Sequence, residues 1–142
     1  MNVDSLLIFK LISDVGLLVL IWLVQLVIYP SFRYFKNSDL KQWHLIYKGR
    51  ITLVVLPLML SQLVLSCWIA IESNWDILFI INGLLVVLTW LSTFAIFVPL
   101  HQKIDNQNQN LSIYVEKLIS YNWIRTVLWT IIVIMTLIEI LQ

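Results

Sequence analysis

The sequence predicts an all-α polytopic membrane protein, a bundle of four transmembrane helices in a single domain that covers residues 1–142. Long apolar segments alternate with polar connections along the chain. Hydrophobic residues make up 61% of the chain and charged residues 12%, against roughly 25% charged residues in soluble domains. A bilayer core about 30 Å thick needs about 20 helical residues, and lipid requires every backbone hydrogen bond to close within the segment. Membrane-spanning helices are therefore the predicted elements.

Four apolar segments are long enough to cross a bilayer, and each is predicted to form a helix. The segments cover residues 6–28, 51–71, 75–100 and 123–141. Because Pro30 and Pro99 lack the N–H of a helical hydrogen bond, we expect spans 1 and 3 to stop there. Spans 2 and 3 are joined by a tight polar turn. The spans should therefore run up and down, with the two long connections at the same end.

Both long connections are predicted to contain helical extensions of the spans. Ser38 and Asp39 are good N-caps, and apolar residues follow them at helical spacing. We therefore expect a helix that begins near residue 39 and continues into span 2. Asn110 and Ser112 can cap a second amphipathic helix that merges with span 4.

Basic residues are concentrated in the two long connections, which the positive-inside rule assigns to the cytoplasm. These residues are Arg33, Lys36, Lys41, Lys48, Arg50, Lys103 and Lys117. At the opposite end the sequence has Lys10 alone. We expect an integral membrane protein, of a bacterial inner membrane, with cytoplasmic helix extensions and both termini on the non-cytoplasmic side.

Composition and motif content argue against several other classes of protein. A net charge of +1 is too small to indicate nucleic-acid binding, and the single cysteine, Cys67, cannot form an intrachain disulfide. Asp4 precedes the first apolar run without a basic leader, so we expect span 1 to be retained and not cleaved as a signal. The sequence has no metal-ligand cluster, nucleophile triad or phosphate-binding loop. We therefore expect no metal and no nucleic-acid partner, with the lipid bilayer as the surroundings.

Polar residues within the spans recur on one face of each helix. Asp14 and Gln25 are three helical turns apart and share a face of span 1. Similar faces in the other spans carry Gln62, Ser66, Asn82, Thr89, Thr93, Thr126 and Thr130. We expect these faces to meet in the bundle centre, as ordinary interhelical hydrogen bonds or as a functional site. Lys10, one turn from Asp14, is expected to neutralise it.

Three tryptophans lie at one depth in the predicted spans. Trp22 and Trp90 precede the two span-ending prolines by eight and nine residues, and Trp129 follows Trp123 by six. At about 1.5 Å per residue, these indoles lie roughly 9 to 14 Å below the cytoplasmic boundary. They either line an aromatic chamber, or they face lipid or pack the core.

Above the tryptophans the sequence places a ring of titratable and hydrogen-bonding side chains. Its members are Tyr29, Arg33, His44, Tyr47, Arg50, His101, Asn122 and Arg125. Histidine can move protons near neutral pH, and an arginine fork can hold a phenolate, enolate or carboxylate. The ring favours binding of a lipophilic, acidic or phenolic small molecule. The alternative is that the basic residues contact anionic lipid headgroups.

Motifs around this ring resemble a known family. They are Tyr29-Pro30-Ser31-Phe32-Arg33, Gly49-Arg50 followed by Pro57-Leu58-Met59, Val98-Pro99-Leu100-His101-Gln102-Lys103-Ile104, and Asn122-Trp123-Ile124-Arg125. They resemble the four-helix integral membrane family that includes the fungal anthrone oxygenases and many uncharacterised bacterial proteins. The resemblance implies the bundle fold and a cofactor-independent oxidation, in which a base removes a proton and the carbanion reacts directly with dioxygen.

With this chemistry in view, the polar ring divides into two sets. We expect His101 or His44 to act as the base and Arg50 and Arg125 to hold the anion. The substrate-binding set is Tyr29, Arg33, Tyr47, Asn122, Trp22, Trp90 and Trp129. Many members of the family carry asparagine where this chain has His101 and histidine where it has Asn122, so these two side chains could share one site.

Two other function classes remain open. The chain could be a non-catalytic scaffold, as a homo-oligomer or a subunit of a larger membrane complex. Gly16 is the only glycine that lies deep in a span on a plausible packing face, however, so tight glycine-mediated pairing is not indicated. The chain could also be a haem- or quinone-binding redox protein, because His44 and His101 lie on the same side and could be axial ligands.

Overall fold

The computed structural model describes residues 3–106 and 110–141, which form helices and no strand. Helix α1 covers Val3–Tyr34, α2 Asn37–Glu72, α3 Ile77–Asn106 and α4 Leu111–Ile140. All four are long and apolar enough to cross a membrane. The predicted all-α architecture with four long apolar helices is confirmed.

The helices form an antiparallel bundle. Helix α1 packs against α2 and α4, and α3 packs against the same two helices. Val3, Leu141 and the turn between α2 and α3 lie at one end, which we call the termini end. Tyr34, Asn37, Asn106 and Asn110 lie at the other, which we call the connection end.

Helices α1 and α3 continue past their prolines, whereas the sequence predicts that both spans stop there. A π-helical turn precedes each proline, at Val24–Ile28 in α1 and at Thr93–Phe97 in α3. Proline cannot donate a helical hydrogen bond, and its ring crowds the carbonyl four residues earlier. The wider π turn relieves this crowding, so α1 continues past Pro30 and α3 past Pro99.

The returning helices begin within the connections, as predicted. The cap of α2 differs from the prediction, whereas α4 has the predicted Asn110 at its N-cap. The N-cap of α2 is Lys36, while the Ser38 hydroxyl donates to the Asp39 carboxylate at 3.0 Å and does not cap the helix. The N-cap of α4 is Asn110, in the left-handed conformation (φ 59°) and without a side-chain capping bond. Asparagine adopts this conformation more readily than most residues.

Helix α3 begins two residues later than predicted. Asn74 and Trp75 adopt left-handed backbone conformations (φ 52° and 63°), so the predicted start at residue 75 belongs to the turn. The Asp76 carboxylate then accepts a hydrogen bond from the Leu78 N–H at 2.9 Å and caps α3. The first helical residue is therefore Ile77.

The polar faces of the helices meet in the core, as predicted. Near the termini end, Lys10 Nζ lies 2.7 Å from an oxygen of Asp14, which confirms the predicted pair. Gln62 donates to the other Asp14 oxygen at 2.7 Å, and the Thr136 hydroxyl lies 2.7 Å from both charged partners. Asn82 Nδ2 donates to Thr136 at 3.0 Å. We call this the lysine network, and it joins all four helices.

Candidate functional site

A cavity of about 410 Å³ lies inside the bundle, between the lysine network and the connection end. All four helices contribute to its wall. Most of the wall is apolar, including side chains such as Leu17, Ile21, Val55 and Met59. The polar part of the wall is formed by Tyr29, Tyr47, Lys48, Thr52, Thr93, His101, Gln102 and Arg125.

The two π turns determine which side chains face this cavity. A π turn accommodates one extra residue, which rotates everything that follows by about 100° relative to an uninterrupted helix. Tyr29 directly follows the π turn of α1, and Phe97 closes the π turn of α3. Both are buried and line the cavity, and His101 lies one turn beyond Phe97.

Four side chains from three helices form a continuous chain of contacts that starts at the cavity. The Tyr29 hydroxyl lies 3.2 Å from Nε2 of His101. Nδ1 of His101 lies 2.7 Å from Nε2 of His44, and Nδ1 of His44 lies 2.6 Å from an oxygen of Asp105. Lys48 Nζ donates to the other Asp105 oxygen. We call this series, from Tyr29 to Asp105, the histidine chain.

Aromatic rings surround the histidine chain. Phe32 contacts His44 edge-on with ring centroids 5.9 Å apart, and Tyr47 contacts Phe32 at 5.5 Å. Phe32 and Tyr47 are buried, and the His44 side chain is fully buried. Water is therefore largely excluded from the middle of the histidine chain.

Arg125 supplies a buried positive charge to the cavity wall. Its side chain is 8% exposed, and its guanidinium carbon lies 4.3 Å from the ring centroid of Phe97 and 5.0 Å from that of Trp129. Within the described residues, Arg125 forms no salt bridge and its Nε has no hydrogen-bond partner. The guanidinium shares the cavity wall with the phenol side chains of Tyr29 and Tyr47. A buried cation without a carboxylate is costly, so this position favours an anionic ligand.

The structure brings most of the predicted site residues together. Of the predicted catalytic set, His44, His101 and Arg125 are in or next to the cavity wall. The predicted binding residues that line the cavity are Tyr29, Tyr47, Trp90 and Trp129. Trp90 also presents an indole Nε1 that has no hydrogen-bond partner within the described residues.

Two predicted arginines lie outside the cavity wall. Arg50 is exposed on α2. Arg33 is exposed and forms a bidentate ion pair with Glu116 at 2.6 and 2.7 Å. Arg125 alone is therefore the arginine that can hold an anion within the cavity described here.

Two further predicted binding residues also face elsewhere. Trp22 lies on the outer surface, where it packs edge-on against Trp123 at 5.8 Å and donates to Thr130 at 3.3 Å. Asn122 is buried but donates to Gln25 at 2.9 Å. The expected sharing of one site by His101 and Asn122 is not seen, because His101 contacts Tyr29 and His44 instead.

The sequence did not identify two members of the site, Asp105 and Lys48. The available signal was a matched pattern: His44 precedes Lys48 by four residues on α2, and His101 precedes Asp105 by four on α3. The two pairs meet across the helices.

Comparison of the chain with protein-family models, with curated proteins and with solved structures gives no match. Among residues 3–106 and 110–141, no group of three or more histidine, cysteine or acidic side chains could hold a metal ion. Function must therefore be argued from the chemistry of the site itself.

Proposed function

We propose that this protein is an integral membrane protein that binds a lipophilic, acidic or phenolic small molecule in the cavity and catalyses its cofactor-independent oxidation. The observation that carries the proposal is Arg125, a buried guanidinium in a mostly apolar wall that pairs with no carboxylate among the described residues. The resemblance to the anthrone oxygenase family, which rests on short motifs, adds the reaction class. The connection end is assigned to the cytoplasm of a bacterial inner membrane, with both termini on the opposite side.

The cavity suits a ligand with a flat apolar body and one ionisable group. Its volume of about 410 Å³ falls within the range of roughly 300 to 1,000 Å³ typical of small-molecule sites. Trp90 and Trp129 offer indole surfaces, and Arg125 offers a charge that a phenolate, enolate or carboxylate would neutralise. An uncharged ligand would leave the guanidinium unpaired.

Proton removal is assigned to the histidine chain. His101 lies in the cavity wall and is connected through His44 to the Asp105 carboxylate. Removal of a proton creates an anion beside Arg125, which stabilises it electrostatically. In the reaction class that the resemblance implies, the resulting carbanion reacts directly with dioxygen.

The ligand is proposed to reach the cavity from the bilayer. Leu56 on α2 and Phe94 and Val98 on α3 line the cavity and are also exposed on the outer surface. The cavity therefore opens sideways between α2 and α3, at apolar side chains that would face lipid. Such an opening admits a membrane-dissolved molecule without passage through water.

The site geometry argues against a bis-histidine haem. A haem iron held by His44 and His101 would have to lie between a nitrogen of each ring. The facing nitrogens are 2.7 Å apart, which is hydrogen-bond distance and leaves no room for an iron. The other nitrogens contact Asp105 and Tyr29. A pure scaffold, another alternative, has no need of a buried arginine that lacks a carboxylate partner among the described residues.

Binding can be tested with the full-length protein in lipid nanodiscs and a nitrophenol that carries an alkyl chain. Arg125→Gln should weaken binding about 10- to 100-fold, because a charge-assisted hydrogen bond is lost. Arg33→Gln, at an exposed arginine, is the matched control and should bind normally. The O-methyl ether of the probe cannot ionise and should bind both proteins equally. Unchanged phenol binding by Arg125→Gln would overturn the proposal.

A further inference from the structure

We propose that the histidine chain is a proton path, in which Tyr29 takes the proton of the bound molecule and Asp105 delivers a proton to water at the connection end. This inference rests on the proposed function and adds a catalytic residue to it. It also assigns a direction and an outlet that a single general base does not have.

The contacts form an unbroken series of hydrogen-bonding atoms. From the cavity outwards, the distances are 3.2 Å from Tyr29 to His101, 2.7 Å from His101 to His44 and 2.6 Å from His44 to Asp105. Each imidazole uses both ring nitrogens. Both nitrogens of His101 are already engaged, so the atom free to meet a ligand is the Tyr29 oxygen.

The carboxylate end determines the direction in which every hydrogen bond points. Lys48 donates to Asp105, so the Asp105 carboxylate is ionised and can only accept. Nδ1 of His44 must then carry the hydrogen, which leaves Nε2 of a neutral His44 as an acceptor. By the same argument Nδ1 of His101 donates to His44, and Nε2 of His101 accepts from the Tyr29 hydroxyl. All three hydrogens point away from the cavity.

The charges around the chain support this direction. At the inner end, Arg125 lies in the same cavity wall as Tyr29, and its positive charge favours movement of a proton away from the cavity. At the outer end, the Asp105 side chain is 11% exposed and that of Lys48 is 40% exposed. The histidine chain is therefore buried at Tyr29 and His44 and reaches partly exposed side chains at the connection end.

The proton transfer balances along the chain without an oxidant or a metal. The substrate loses a proton to the Tyr29 oxygen while the Tyr29 hydrogen passes to Nε2 of His101. The Nδ1 hydrogen of His101 passes to Nε2 of His44, and the Nδ1 hydrogen of His44 passes to Asp105 and then to water. The substrate anion remains beside Arg125, and rotation of the imidazoles and the hydroxyl restores the starting state.

The direction can be tested without any ligand by nitrogen NMR of histidine-labelled protein in nanodiscs. Both imidazoles should carry hydrogen on Nδ1 and none on Nε2, and Asp105→Asn should change the His44 Nδ1 resonance strongly. Neutral imidazoles with hydrogen on Nε2 would overturn the proton path. This measurement does not depend on the proposed ligand.

The rate of transfer can be tested with the alkyl nitrophenol, whose phenolate absorbs visible light. After a rapid jump to alkaline pH, phenolate should form in the wild-type cavity about 100-fold faster than in Tyr29→Phe or Asp105→Asn. Final amplitudes should be similar, because a path changes the rate and not the equilibrium. Tyr34→Phe and Asp39→Asn, at exposed positions near the same end, are matched controls and should behave like wild type.

The outcomes separate the two proposals. Wild-type rates in Tyr29→Phe and Asp105→Asn, with binding intact, would overturn the proton path and leave the binding function standing. Retained binding in Arg125→Gln would overturn the proposed function, while the NMR result would still decide the direction of the chain. Slow ionisation in the two path variants together with Nδ1 hydrogens on both imidazoles would support the inference.

Discussion

His44 on α2 and His101 on α3 face each other through ring nitrogens 2.7 Å apart, and neither ring has a free nitrogen. The two imidazoles therefore act as one unit. Residues in one hydrogen-bonded unit have non-additive effects on activity.

We predict that His101→Ala lowers turnover of an anthrone about 100-fold or more and leaves the protein folded. His44→Ala should have a similar effect, and the double variant should be no slower than either single variant. Production of anthraquinone by protein in nanodiscs measures turnover, and circular dichroism checks the fold. Additive losses in the double variant would show that the rings work separately.

The buried charge of Arg125 should lower the free energy of unfolding of the protein. Replacing Arg125 with methionine removes an uncompensated buried charge and keeps a long side chain against Phe97 and Trp129. We expect Arg125→Met to be more stable by about 1 to 3 kcal/mol and to lose binding of the alkyl nitrophenol. Thermal unfolding in detergent measures the stability. Arg125→Lys retains the charge and should show no gain.

Removing the positive charge of the lysine network should lower the stability of the protein, because Lys10 is paired with Asp14. Lys10→Met leaves Asp14 without its cation and should destabilise the bundle by about 3 kcal/mol. The double variant Lys10→Met/Asp14→Leu removes both charges and should be more stable than Lys10→Met alone. Detergent-induced unfolding followed by tryptophan fluorescence provides the comparison. If the double variant is the less stable, the penalty does not come from the unpaired carboxylate.

The side opening between α2 and α3 predicts an effect on association rate. Leu56→Trp places a bulky indole ring at the exposed edge of the cavity and should slow uptake of the alkyl nitrophenol from vesicles about tenfold. Affinity should change less, because both association and dissociation pass the same constriction. Leu53→Trp, at an exposed position on α2 outside the cavity wall, is the matched control. Equal rates in both variants would place the entrance elsewhere.

The sequence predicted well those contacts that depend on one regular helix. The pairing of Lys10 with Asp14 follows from a spacing of four residues, and the burial of Gln62 and Asn82 follows from the polar face that each helix carries. Both inferences need only the ordinary helical period, and no register between helices. The number and type of the helices could be predicted from the sequence for the same reason.

Contacts between helices are harder to predict from the sequence, because they depend on how each helix is rotated about its axis. Trp22 has the depth expected of a chamber residue but lies on the outer surface, since depth along a helix does not give its direction. The pairing of His44 with Asp105 lies beyond the π turn of α3, which shifts every later residue by one position. If the regular helical period is assumed to continue through Thr93–Phe97, Asp105 is not predicted to face α2.

The paired π turns have a consequence for protein engineering. Each is equivalent to one residue inserted into a regular α-helix, which turns the side chains that follow toward the interior. Each insertion lengthens its helix by about 1.5 Å, so the fit to the bilayer would hardly change. Deleting one residue from Val24–Ile28 or Thr93–Phe97 should rotate the side chains that follow by about 100° and turn Tyr29 or His101 away from the cavity.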